Sequence, residues 1–237
     1  MLTLAFDTST DIGSVAVGSA AGPISQSSVP APATASESVL PAIRELLAKA
    51  GVALGDLEAI AVGSGPGSFT GLRIGAALAK GLCFALDCPL FAYSSLSAVV
   101  AGLPVEGRVC AVLDAGNDRV FAATFGSTAP LREIAGPRVW EVGALIRQLQ
   151  PLQEWTFAGA GAIRYAERLA EEGGRILARG ASSPAAGALV RLVHEQDAGR
   201  VADLGSWQPE YLLASAAERA REAKPSLSQG SRKAGPS

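Results

Sequence analysis

Three observations predict an α/β fold built from two similar halves. Apolar runs of strand length alternate with longer segments of helical periodicity. Two or three strands joined by hairpin turns precede the first helix, so the sheet is mixed rather than wholly parallel. The opening pattern of apolar strand, terminal aspartate and polar hairpin also occurs twice, at Leu2–Asp7 and at Val109–Asp118, about one hundred residues apart.

The elements follow in order. Leu2–Phe6 reads as a strand ending in Asp7-Thr8-Ser9-Thr10, and Ser14–Gly18 returns after Asp11-Ile12-Gly13. Gly22-Pro23 marks a further turn, with Ile24–Val29 as a third strand before the break at Pro30 and Pro32. Val39, Leu40, Ile43, Leu46, Leu47 and Ala50 then recur at helical spacing. Thr34 and Glu37 have capping-box spacing, while Pro41, at ease only in a first turn, argues for a start nearer Ser38; Gly51 stops the helix. Leu57–Val62 is a strand, Thr70–Leu86 a long helix, Pro89–Tyr93 a strand and Ser94–Val100 a helix.

The second half repeats the opening with Val109–Leu113, Asp114 and Val120–Phe125. It continues with helix Val142–Gln150, strand Trp155–Ala158, and helices Ala162–Glu171, Ser183–His194 and Ala214–Ala223. The expected domains are 1–103 and 104–223, with 224–237 a disordered tail of Pro, Ser, Gly and Lys.

Composition narrows the function. The 237 residues are 49% hydrophobic and 18% charged, with net charge −2. Binding nucleic acid by phosphate neutralisation needs a positive field, which this balance does not supply. Cys83, Cys88 and Cys110 are odd in number and form no C-x-x-C pair, which fits a reducing cytoplasm. Asp7 interrupts the first apolar run, arguing against a signal peptide. No stretch nears 18 apolar residues without a charge or turn, so no membrane span is expected.

The most distinctive segment is Gly65-Pro66-Gly67-Ser68-Phe69-Thr70-Gly71-Leu72-Arg73-Ile74-Gly75. Glycines turn the chain from strand to helix, and Ser68 or Thr70 supplies an N-cap. Free N–H groups at such a start receive anions, which makes Gly67, Ser68 and Thr70 candidate anion-binding residues, with Arg73 one turn on. A tight, well-capped turn is the other reading, since the lysine-bearing phosphate-loop pattern is missing. The helix behind it has small or apolar residues on nearly every face, with only Arg73 and Lys80 charged. Such a helix is either sandwiched in its own domain or covers one side with another protein.

The first strand with Asp7-Thr8-Ser9-Thr10, Ser36-Glu37 to Leu40-Pro41, and the GPGSFTGLRIG segment resemble the TsaB family, also called YeaZ. Ser94-Ser95-Leu96, Asp114 in its hairpin, Gly159-Ala160-Gly161-Ala162 with Tyr165, and Pro209-Glu210-Tyr211-Leu212 agree in order, over roughly residues 1–213. The resemblance implies two actin/Hsp70/sugar-kinase-like (ASKHA) domains. It also implies a scaffold without catalytic groups that binds the catalytic TsaD and the ATPase TsaE. Their joint product is N6-threonylcarbamoyladenosine beside the tRNA anticodon, so tRNA is met indirectly, through the complex. In that family the two helices of the first domain pack on TsaD or on a second copy. The interface residues expected here are Leu40, Ile43, Leu47, Phe69, Leu72, Arg73, Ala76 and Lys80. Ala35 stands where members often carry His, and Leu213 where they often carry Arg.

The residues frame no catalytic site. His194 is the sole histidine, so neither a two-histidine metal site nor a framed Ser/His/Asp triad can form. No cofactor and no metal are expected. The alternative is a phosphotransferase or ATPase of the same fold, holding magnesium and nucleotide through Asp7 and Asp114; both aspartates also fit ordinary turn chemistry.

Overall fold

The structure, a computed structural model, describes residues 1–30, 35–101, 103–177 and 183–213. Two five-stranded mixed sheets carry the fold. In the first, β1 (Thr3–Asp7) is central, antiparallel to β2 (Ile12–Ser19) and parallel to β4 (Ala59–Gly63). Flanking them are β3 (Gly22–Pro30) beside β2 and β5 (Leu90–Tyr93) beside β4. In the second, β6 (Arg108–Gly116) takes the place of β1, antiparallel to β7 (Arg119–Thr128) and parallel to β9 (Trp155–Ala158). Its edges are β8 (Leu131–Glu141) and the two-residue β10 (Arg175–Ile176). The duplication expected from the two aspartate-ended strands is therefore topological.

Strand alternation sets the layers, because successive side chains point to opposite faces. Leu4, Phe6, Val15, Val17, Ile60 and Val62 face one way and meet α1 (Ala35–Ala50) and α2 (Phe69–Leu86). Ala5, Ala16, Ala59 and Ala61 face the other way and let α7 (Ala186–Glu195) lie close, through Leu189, Leu192 and Val193. The short α3 (Ser95–Val100), buried along its whole length, packs its Leu96, Val99 and Val100 with the second sheet's Val109, Leu113, Phe121 and Phe125. On that sheet's other face lie α4 (Val142–Gln148), α5 (Ala160–Arg164) and α6 (Ala166–Glu171).

The structure adds to the expected elements and corrects them. β8 and β10 were not foreseen: β8 reads LREIAGPRVWE, too charged and too interrupted to look like a strand, because it is an exposed sheet edge. The single helix expected over 162–171 is two helices, meeting at Tyr165. α1 starts at Ala35 and runs through Pro41, rather than starting nearer Ser38. α7, counted by sequence with the second half, packs on the first sheet. The helix expected at 214–223 and the tail at 224–237 lie outside the described residues.

Candidate interaction site

The strand-to-helix turn leading into α2 is fastened from below by Asp7, which is 1% exposed at the end of β1. The Ser9 amide and hydroxyl donate to its Oδ1 at 2.8 and 2.6 Å. The Ser95 hydroxyl donates to Oδ2 at 2.7 Å and accepts the Gly65 amide at 3.2 Å. A methyl group at residue 63 would sit 1.7 Å from Oδ2, so Gly63 is what makes room for the carboxylate. Burial pushes the Asp7 carboxyl up from its ordinary 3.8, against the lowering effect of the Ser9 and Ser95 hydrogen bonds. Asp7 thus ties β1, the glycine-rich turn and α3 together, with both oxygens occupied. Asp114, its counterpart on β6, is half-buried; it accepts the Gly116 amide at 3.3 Å and pairs with Arg164 at 3.0 Å.

The candidate anion-binding residues form a closed turn. Ser68 caps α2 by accepting the Gly71 amide at 3.3 Å, and its own amide donates to Ser9 O at 2.7 Å. Gly67 lies so close to the Ser9 backbone that a Cβ would meet the carbonyl oxygen at 2.2 Å. Thr70 is exposed. The Thr8 hydroxyl donates to Gly71 O at 2.7 Å, and a Cβ at Gly75 would lie 2.5 Å from that hydroxyl. The glycines on the inner face of α2 therefore admit the chain's own β1 turn, not a second helix.

The eight expected interface residues divide. Ile43 and Leu47 are core residues, and Leu72 (2% exposed) and Ala76 (8%) are sealed as well, so these four are corrected to interior positions. Part of the cover comes from residues 200–213. Arg200 bridges to Phe91 on β5, and Val201, Leu204 and Trp207 pack against the core under α2. Lys80 donates to Gly205 O at 3.0 Å and lies 5.9 Å from the centre of the Trp207 ring. The Glu210 amide donates to Ser64 O at 2.8 Å, and the Tyr211 ring lies 4.9 Å from that of Phe69. Residues 200–213 form a strap along one flank of α2, leaving Phe69 and Lys80 half-buried. Leu213 packs into the shared core around α3.

What stays open is the opposite flank. Thr70, Arg73, Ala77, Gly81 and Phe84 are exposed in one row at helical spacing, with Phe84 at 86%. A Cβ at Gly81 would meet nothing within 4 Å. Beside α2, α1 exposes Leu40 (44%), Arg44 and Ala48. Of the expected set, Leu40 and Arg73 belong to this surface. Ala77, Gly81 and Phe84 were not among the residues expected there. Over its 18 residues α2 has a mean hydropathy of 1.4, long and apolar enough to cross a membrane by composition. Here the apolar excess has another cause: one side is core and the other is an uncovered, small-residue surface.

The remaining singled-out groups have structural settings. Cys83 and Cys110 are buried, and burial pushes both thiols up. His194, on α7, is held below its ordinary 6.5, first by burial and then by the N-terminal ammonium.

Two sheets with the same central-strand topology, α3 between them and a glycine-rich turn after β4, give the chain a fold of the actin/Hsp70/sugar-kinase type. The fold alone is shared with the ADPNP-bound activator of 2-hydroxyisocaproyl-CoA dehydratase from Clostridium difficile, at TM-score 0.54 and 11% identity, over 95% of this chain and 99% of that one. The sequence model of the family described as TsaD, tRNA N6-adenosine threonylcarbamoyltransferase, matches residues 29–223. The tRNA threonylcarbamoyladenosine biosynthesis protein TsaB of Haemophilus influenzae is 36% identical over 62% of this chain and 67% of its own length. Across three curated TsaB relatives the matched share of their length runs from 38% to 67%. YeaZ from Pseudomonas aeruginosa superposes at TM-score 0.73 with 30% identity, over 89% of this chain and 99% of that one. The chain belongs to the TsaB (YeaZ) family.

Proposed function

We propose that this chain is a non-catalytic docking subunit in tRNA threonylcarbamoyladenosine biosynthesis, binding a TsaD-type catalytic paralogue in the cytoplasm. The observation that carries the reading is the uncovered row Thr70–Arg73–Ala77–Gly81–Phe84 beside Leu40 of α1, with a phenylalanine 86% exposed at its end. Small residues let a partner helix approach closely, and an exposed aromatic group gains most by filling a partner's pocket. A TsaE-type ATPase is the third member implied by the resemblance, and a second copy of this chain competes for the same face when TsaD is absent. The rival reading, a nucleotide-using phosphotransferase, needs a free carboxylate at the end of β1, and Asp7 is fully engaged.

Gel filtration and calorimetry with the TsaD protein of the same organism test the reading. Phe84→Arg is expected to weaken association by roughly 100-fold or more while circular dichroism and melting stay those of the parent. Undiminished association of a folded Phe84→Arg chain refutes this placement of the interface.

A further inference from the structure

The strap does more than cover one flank of α2; through Phe69 its contacts also reach the open flank. Tyr211, 36% exposed, places its ring 4.9 Å from Phe69, and the Arg73 guanidinium carbon lies 4.0 Å from the centre of the Phe69 ring. These contacts make a ladder from the strap, across the first turn of α2, to the docking face. α2 carries two cations and no acidic residue. Lys80 is engaged by Gly205 O and Trp207, whereas Arg73 is exposed and forms no ion pair among the described residues. A guanidinium stacked on an aromatic ring keeps its in-plane N–H donors free for a carboxylate. Holding it flat also removes rotamer freedom that binding would otherwise have to remove.

We propose that Arg73 is the specificity cation of the docking face, positioned by Phe69 and Tyr211 to pair with a carboxylate that the partner presents about three helical turns along from its socket for Phe84. The inference rests on the docking reading above and deepens it by naming the partner's chemistry. In a second copy of this chain α2 itself has no carboxylate and only its exposed C-cap, Asp87, carries an acid, whereas the ladder suits a partner with a carboxylate placed to meet Arg73.

The test is calorimetric titration of the full chain with the full-length TsaD protein of the same organism, checking each variant's fold by circular dichroism. Arg73→Glu is expected to weaken binding roughly 100-fold and Arg73→Gln about tenfold. Tyr211→Leu is expected to weaken binding in the parent but to add little in an Arg73→Gln background. A tyrosine that merely pins the strap would weaken both backgrounds equally. Raising salt from about 0.05 to 0.5 M should weaken the parent's binding and leave Arg73→Gln nearly flat. Parent-like binding by Arg73→Glu and Arg73→Gln, with Phe84→Arg still defective, overturns the proposal and leaves docking standing. Parent-like binding by Phe84→Arg as well removes both.

Discussion

α2 and the pair α5–α6 hold the same place in their domains, each following the strand that runs parallel to the central one. Their outward faces differ. α5 and α6 are short, and expose Arg164, Glu167, Arg168 and Glu171; Arg164 pairs with Asp114 and Arg168 with Asp118, both on the β6–β7 hairpin. α2 runs unbroken for 18 residues and exposes Ala77, Gly81 and Phe84. Water satisfies the first surface, whereas the second leaves apolar area that no other described residue of the chain covers. The proposed docking surface thus lies on the first half of a duplicated fold, and the matching side of the second half is charged and solvated.

The sharpest way to break this comparison uses two adjacent residues of α2. Ala76→Arg drives a charge into the sealed flank and is expected to cost roughly 3–5 kcal/mol or more, read as a collapsed melting transition. Ala77→Arg, one residue on, is expected to change stability by no more than about 0.5 kcal/mol yet to abolish pairing with TsaD. Equal melting temperatures for the two would show that the inner and outer flanks have been misassigned.

The two aspartates sharpen the contrast between the halves. Gly63→Ala forces a methyl group onto Asp7 Oδ2 and is expected to cost at least about 2 kcal/mol in denaturant titrations. The Asp7 carboxyl has a raised pKa in the folded chain, so the unfolded chain releases its proton first as pH rises. Relative to Asp7→Asn, the parent should therefore be most stable below 3.8 and lose that advantage as pH climbs through the raised value. A flat difference between the two across that window would contradict the burial argument. Smallest of all, Asp114→Asn breaks a solvent-exposed pair with Arg164 and is expected to cost about 0–1 kcal/mol, with no loss of TsaD binding.

Much of the fold was legible because local chemistry and tertiary contacts agree. β9 was read at its observed limits and α2 within one residue, and of the two candidate caps, Ser68 and Thr70, Ser68 is the one used. β8 was not legible, since an edge strand can carry Arg132, Glu133, Gly136 and Pro137 without burying them. Of the candidate residues read on α2, Leu72 and Ala76 lie on its sealed flank. With Leu72, Ala76, Ala77 and Phe84 all apolar, periodicity gives no phase, so the buried side cannot be chosen locally. That choice is made by distant contacts: Gly71 and Gly75 against Thr8, and Lys80 against Gly205 and Trp207. Phe84 drew no notice because one aromatic among many apolar neighbours does not announce its exposure.

The most direct measurement places a photo-crosslinking amino acid at residue 84 or, in a parallel chain, at residue 164, and irradiates each with the TsaD protein of the same organism. The account predicts a covalent adduct from residue 84 and none from residue 164. An adduct from residue 164 alone, or from neither, would contradict it.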